Sequence, residues 1–166
     1  MKMKTDMNLQ RTSAKAFRLL RSRGEKVSFA ESLTGGLIAA AFVENSGASN
    51  VLDESYVTYA PASKVRILGV NQETVDTVGV VSERCAREMA AGVKRISGAN
   101  WGVSATGLAG PDGGTDELPV GTVFIGVAGE DGVQAYECHF GGDRMQVRMQ
   151  AARRAFELLA ERIEKT

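Results

Sequence analysis

A chain of 166 residues with 43% hydrophobic and 24% charged side chains is long enough to bury a core without disulfides or structural metal, and this composition excludes disordered and fibrous classes. Twenty Lys and Arg balance twenty Asp and Glu, and no basic run exceeds two, which argues against a nucleic-acid partner and for a small molecule. Cys85 and Cys138 stand apart from each other and from the single histidine, so neither a disulfide framework nor a cysteine-histidine zinc site is indicated, and a reducing cytoplasm fits.

No run approaches a membrane span, and MKMKTDMNLQRTSAK lacks the apolar stretch of a secretory signal. Residues 1–11 read as an unpacked, flexible arm, and 12–166 as a single domain. Ala14, Phe17 and Leu20 predict a helix over 12–23 that stops at Gly24. KVSFAE then reads as a strand, Ser32 as a turn, and 34–45 as an Ala-rich helix opened by Thr34, Gly35 and Gly36. SGASN is a loop, and VLDESYVTYA holds a second strand ending near Tyr59. Pro61 suits the first turn of a short helix that carries Lys64.

Ser82 caps a helix to about Ser97, with Cys85, Met89, Val93 and Ile96 on a core face and Gly98 beyond its end. WGVSA and GTVFIGVA are nearly continuous apolar runs, as strands covered on both faces tend to be, and VQAYECHF reads as an edge strand. Between the first two, TGLAGPDGGTDELPV is a long loop rich in Gly, Pro and Asp, of the kind that is often functional. The last helix starts at Asp143 and packs Met145, Met149, Ala152, Phe156, Leu159 and Ile163 on the sheet.

Helices interleaved with apolar strands indicate a three-layer α/β/α sandwich whose central sheet is mostly parallel, with room for a mixed arrangement. Ligands in such folds bind at the carboxyl ends of strands. Ser32, the pair Tyr59 and Lys64, and the segment Thr106 to Thr115 follow the first three strands in turn. If those strands are parallel, the three segments meet at one edge; one antiparallel member would break the inference.

A turn ahead of a helix can hold a nucleophile or an anion, because the first-turn N–H groups and the helix dipole favour negative charge. A serine nucleophile needs a base, and His139 alternates with Glu137 and Ala135 as an ordinary, partly exposed edge residue. Lysine can serve where burial lowers its pKa, which makes Lys64 a candidate, and Tyr59 could relay a proton or hold substrate. The plainer readings are Ser32 as an N-cap and Lys64 and Tyr59 as solvated or packing residues. No G-x-G-x-x-G or G-K-[ST] is present, so Rossmann and P-loop nucleotide sites are not supported. Asp53, Glu54, Asp112, Asp116 and Glu117 are candidate Mg²⁺ ligands, but acidic loop residues are more often simply exposed. The residues alone thus suggest acyl transfer without metal.

Together, AESLTGG at 30–36, VTYAPASK at 57–64 and TGLAGPDGGTDELPVGTV at 106–123 resemble the C-terminal domain of the competence/damage-inducible protein CinA, also found as a stand-alone nicotinamide-nucleotide amidase. The resemblance covers about residues 12–163. It implies hydrolysis of nicotinamide mononucleotide to nicotinic acid mononucleotide and ammonia, in pyridine-nucleotide salvage, with no cofactor and no metal. By motif, Ser32 would be the nucleophile, Lys64 the base and Tyr59 an assisting hydroxyl. Thr34, Gly35 and Gly36 would offer backbone donors to the oxyanion, while Thr106, Gly107, Gly110, Gly113, Gly114 and Thr115 would shape the nucleotide site.

A symmetric homo-oligomer is expected for a small domain of this kind. Two other readings stand beside the amidase: a non-catalytic nucleotide-binding or regulatory protein linked to competence or the damage response, and a metal-dependent phosphohydrolase. One departure bears on the choice. The family usually has Ser-Asn-Glu-Ala-Lys after the tyrosine, and this chain has Ala60, Pro61, Ala62, Ser63 and Lys64. The nucleotide-hydrolase domain that precedes this one in longer relatives is not in this sequence, so no pyrophosphatase activity is expected.

Overall fold

The computed structural model describes residues 6–166. The chain runs α1 (Met7–Arg23), β1 (Val27–Glu31), α2 (Leu37–Val43), β2 (Leu52–Val57), α3 (Pro61–Leu68), α4 (Gln72–Thr77), α5 (Glu83–Ser97), β3 (Trp101–Gly107), β4 (Thr122–Gly129), β5 (Gly132–His139) and α6 (Arg144–Lys165), with a 3-10 turn at Ala48–Asn50. One sheet has the order β2-β1-β3-β4-β5. β1 lies parallel to both β2 and β3, whereas β3–β4 and β4–β5 are antiparallel. The sheet is therefore mixed, with β4 opposing four strands of common direction. The 108–121 connection contains no helix to cross over the sheet, so β4 returns beside β3 as a hairpin partner.

Two helical layers cover the sheet: α1, α2 and α6 on one face, α3, α4 and α5 on the other. The period-two alternation of a strand divides β1 between them. Val27 and Phe29 enter the larger core, where Phe29, Phe42 and Phe156 meet with ring centroids 5.4 to 6.0 Å apart, and Ala30 faces Leu68, Met89 and Val93. The α5 side is floored by small residues. A Cβ on Gly102 would come within 2.3 Å of the Ala90 carbonyl, and one on Gly126 equally close to that of Ala86, so α5 lies directly on the backbone of the sheet.

Several boundaries differ from the sequence pattern. Helix α1 begins at Met7, not residue 12, because the Asp6 side chain caps it through the Asn8 N–H and Leu9, 1% exposed, extends its buried stripe. Residues 7–11 are thus helical, and the remainder of the expected arm, 1–5, lies outside the described residues. Ile96 (39% exposed) and Met145 (51%) leave the expected core faces, each within two residues of a helix end, and Met149 is only half-buried. Among the described residues no helix is long and apolar enough to cross a membrane.

Candidate active site

β1, β2 and β3 are neighbours and parallel, so their carboxyl ends bring Ser32, the Tyr59–Lys64 segment and Thr106 to one edge. A cavity of about 240 Å³ opens there, lined among others by Ser32, Leu33, Tyr59, Thr106, Gly107, Gly110, Asp112 and Arg144. Ser32 is 9% exposed and its N–H is fixed by the Ala105 carbonyl of β3. It does not cap α2, whose N-cap is Gly36, and its Oγ lies 3.0 Å from Lys64 Nζ instead.

Lys64 is fully buried. Ala60 caps α3 and Pro61 occupies its first turn, which directs the fourth helical residue inward beneath the Ser32 turn. Its Nζ contacts the carbonyls of Thr58, at 2.5 Å, and Tyr59, at 3.4 Å, besides Ser32 Oγ. Burial pushes the pKa of the ammonium below its ordinary 10.5, against a smaller opposing effect of Cys85. Cys85, equally buried, is pushed up to about 11 by desolvation, so it is a neutral thiol at physiological pH. Among the described residues no carboxylate pairs with Lys64. Nζ thus faces three oxygens, the Thr58 and Tyr59 carbonyls and Ser32 Oγ; once the amine is neutral, its two N–H groups can remain on the carbonyls and its lone pair is left for the serine hydroxyl.

The helix N-terminus expected to bind an anion is already occupied. Glu31 is fully buried, and its carboxylate accepts the N–H groups of Ile38, at 2.9 Å, and Ala39, at 3.1 Å. The Gly35 N–H returns to the Ser32 carbonyl at 3.0 Å. Gly36 is the N-cap of α2 and Gly35 lies before it; with φ of 58° and 98° the two form a left-handed bend leading into the helix. Neither they nor Thr34 line the cavity. Among the described residues the N–H groups of Leu33 and Thr34 find no backbone acceptor. Thr34 Oγ1 and Thr58 Oγ1 are buried without a hydrogen-bond partner.

Of the residues expected to shape a nucleotide site, Thr106, Gly107 and Gly110 line the cavity, while Gly113, Gly114 and Thr115 lie on the exposed loop beyond it. Thr106 is buried and its hydroxyl donates to the Val80 carbonyl, so it fixes the wall formed by Val80 and Val81. Tyr59 is 60% exposed, and its hydroxyl accepts from Arg144 Nη2 at 3.1 Å. Arg144 also donates to the Gly110 carbonyl at 2.6 Å, bridging two sides of the lip. Behind the turn, Arg148 donates to the carbonyls of Leu33 and Thr34. The pattern reading missed both arginines, although a signal exists: the first turn of α6 has no acidic residue and starts with Arg144, against the helix dipole. His139 is an exposed edge residue beside Glu137, and among the described residues no three His, Cys, Asp or Glu side chains converge to hold a metal.

An α/β/α domain with a buried serine–lysine pair at the carboxyl edge of its parallel strands is what fold and site define. Residues 9–163 match the model of the CinA C-terminal domain, and the chain belongs to that family. A CinA-like protein of Anaeromyxobacter sp. (strain K) is 51% identical over 140 residues, covering 84% of this chain and 34% of that protein, so the chain spans about a third of its length. The nicotinamide-nucleotide amidohydrolase PncC of Enterobacter agglomerans is 46% identical over 149 residues, covering 89% of this chain and 91% of that one. Among solved structures, the competence/damage inducible protein CihA of Agrobacterium tumefaciens aligns with a TM-score of 0.92 and 38% identity over 97% of this chain and 98% of that chain.

Proposed function

We propose that this chain is an amidohydrolase that converts nicotinamide mononucleotide to nicotinic acid mononucleotide and ammonia without a metal, with Ser32 as nucleophile and Lys64 as base. The observation that carries the reading is the 3.0 Å approach of a buried, carboxylate-free lysine to a serine hydroxyl at a cavity. The likeness to a PncC amidohydrolase along nearly its whole length supports the substrate.

Ser32 Oγ attacks the carboxamide carbon while its proton passes to Lys64 Nζ. The carbonyl oxygen becomes an oxyanion, for which the unengaged N–H of Leu33, which lines the cavity beside Ser32, is the nearest donor, with the unengaged Thr34 N–H next along the turn. Lys64 returns the proton to the amide nitrogen, the C–N bond breaks, and ammonia leaves an acyl-Ser32 ester. Water then attacks the ester, giving a proton to Lys64, which passes it to Ser32 Oγ as the C–O bond breaks; the sum is amide plus water to acid plus ammonia. Arg144 uses two of five N–H donors on Tyr59 and Gly110 and so retains donors for the substrate phosphate at the lip.

The test is ammonia and nicotinic acid mononucleotide formation, with chelator present, by the native chain and by Ser32→Ala. Turnover is expected in the native chain and a loss of about 10³-fold or more in the variant. A well-folded native chain that binds the nucleotide and releases no ammonia would overturn the reading in favour of a nucleotide-binding protein.

A further inference from the structure

The turn that carries Ser32 has an intrinsic weakness. Gly35 and Gly36 follow it in left-handed conformations, and glycine loses more freedom on ordering than any other residue. From below, Glu31 holds the start of α2. From above, the turn is held by one side chain alone among the described residues. Arg148 Nε donates to the Leu33 carbonyl at 2.9 Å and Nη2 to the Thr34 carbonyl at 3.0 Å, a planar fork on two successive peptide groups. Its third nitrogen rests on Met145 Sδ at 3.8 Å. Among the described residues no carboxylate neutralises this guanidinium, so its whole charge is directed at the turn.

A peptide group is planar, with its carbonyl and N–H opposed. Holding the Leu33 carbonyl toward α6 therefore turns the Thr34 N–H away from α6, and holding the Thr34 carbonyl turns the Gly35 N–H inward to the Ser32 carbonyl, where it is found. The Leu33 and Thr34 N–H groups are left as donors with no backbone acceptor, and Leu33 lines the cavity with Ser32. The fork thus fixes the Thr34 amide directly and, through the Gly35 N–H bond to the Ser32 carbonyl, the Ser32–Leu33 peptide that carries the Leu33 N–H.

We propose that Arg148 is a positioning residue whose guanidinium fork on the Leu33 and Thr34 carbonyls fixes the adjoining amides in the orientation that receives the developing oxyanion. The inference rests on the amidase reading for its reaction, but it applies to any acylation of Ser32. Arg148→Ala and Arg148→Lys are compared with the native chain in two assays: ammonia release from nicotinamide mononucleotide, and the p-nitrophenolate burst from p-nitrophenyl acetate, with Ser32→Ala as the blank.

Removing an oxyanion donor outright slows an enzyme about 10²–10³-fold, so misaligning donors by Arg148→Ala should lower kcat and burst rate roughly 10- to 100-fold. KM should stay within about twofold, the pH of half-maximal rate should not move because Lys64 is untouched, and methylguanidine should restore part of the burst. Arg148→Lys should recover little, since an ammonium cannot span both carbonyls. A raised KM with unchanged kcat would overturn the proposal and make Arg148 a substrate ligand, and a loss no larger than the lost folded fraction would reduce it to a structural role. A native chain that bursts through Ser32 but releases no ammonia refutes the substrate alone, with Arg148 then judged on the burst. A chain that does neither refutes both.

Discussion

Replacing Lys64 by Met removes the amine and keeps the bulk of its stem, with an effect on stability whose pH dependence is set by burial. In the folded chain the amine contacts Ser32 Oγ and two carbonyls and, among the described residues, no carboxylate, and its burial places its pKa below 10.5; in the unfolded chain it regains that ordinary value. Between the two values the unfolded state binds one proton that the folded state does not, so unfolding takes up a proton and stability rises with pH. The slope for one proton is about 1.4 kcal/mol per pH unit. Below the folded pKa both states are protonated, the slope is zero and the burial penalty is at its full value. Above 10.5 both are neutral and the penalty is gone. Groups other than Lys64 titrate in both proteins, so the native-minus-variant difference isolates this residue. Urea unfolding of both proteins in half-unit steps up to about pH 10.5 should show the difference climbing in favour of the native chain by about 1.4 kcal/mol per unit in the upper part of the range. A flat difference would refute the reasoning, because Lys64 would then keep its ordinary pKa and remain a cation unable to accept the Ser32 proton.

Arg144→Ala removes the bonds to Gly110 and Tyr59 at the lip and should raise KM for nicotinamide mononucleotide about tenfold, with kcat changed much less, in steady-state ammonia release. Gly92→Ala would ordinarily favour a helix by up to about 1 kcal/mol, but here the new Cβ would stand 2.0 Å from the Leu68 carbonyl at the end of α3. It should instead destabilise by about 1–3 kcal/mol, lower Tm by about 2–4 °C per kcal/mol, and reduce turnover by displacing the helix that carries Lys64. Glu31→Ala leaves the Ile38 and Ala39 N–H groups without their acceptor and should cost about 2–5 kcal/mol in urea unfolding, with Glu31→Gln, which keeps one acceptor oxygen, losing less.

The features written in local pattern were legible before the structure: the apolar runs of β3 and β4, the Ser82 cap, Pro61 ahead of Lys64, and the succession of Ser32, Tyr59 and Lys64, and Thr106 after three strands. Their convergence needed only that those three strands be parallel. What was not legible depends on contacts distant in sequence. The end of α2 facing the turn looks open to an anion until the strand residue Glu31 closes it, and a buried carboxylate in an apolar strand is a signal only once its partner is known. Arg144 and Arg148 reach the site from the opposite end of the chain. Helix α4, with six residues, is too short to show a period.

The departure at Ala60 to Ser63 gains its meaning from the acceptors of Lys64. Thr58 and Tyr59 hold Nζ through main-chain carbonyls, which no side-chain replacement at 60–63 removes, and Ser63 Oγ bonds the Ala60 carbonyl within its own turn. Pro61 meanwhile fixes φ at the first turn of α3 and so narrows the directions in which Lys64 can enter. Lys64 is therefore insulated from the change. Ala60, Pro61 and Ala62 are exposed next to Tyr59, whose side chain borders the cavity. The loss of an amide and a carboxylate there acts on the surface a substrate meets, so it should appear in KM and in the choice among nucleotides, while the rate constant for attack by Ser32 stays that of the intact pair.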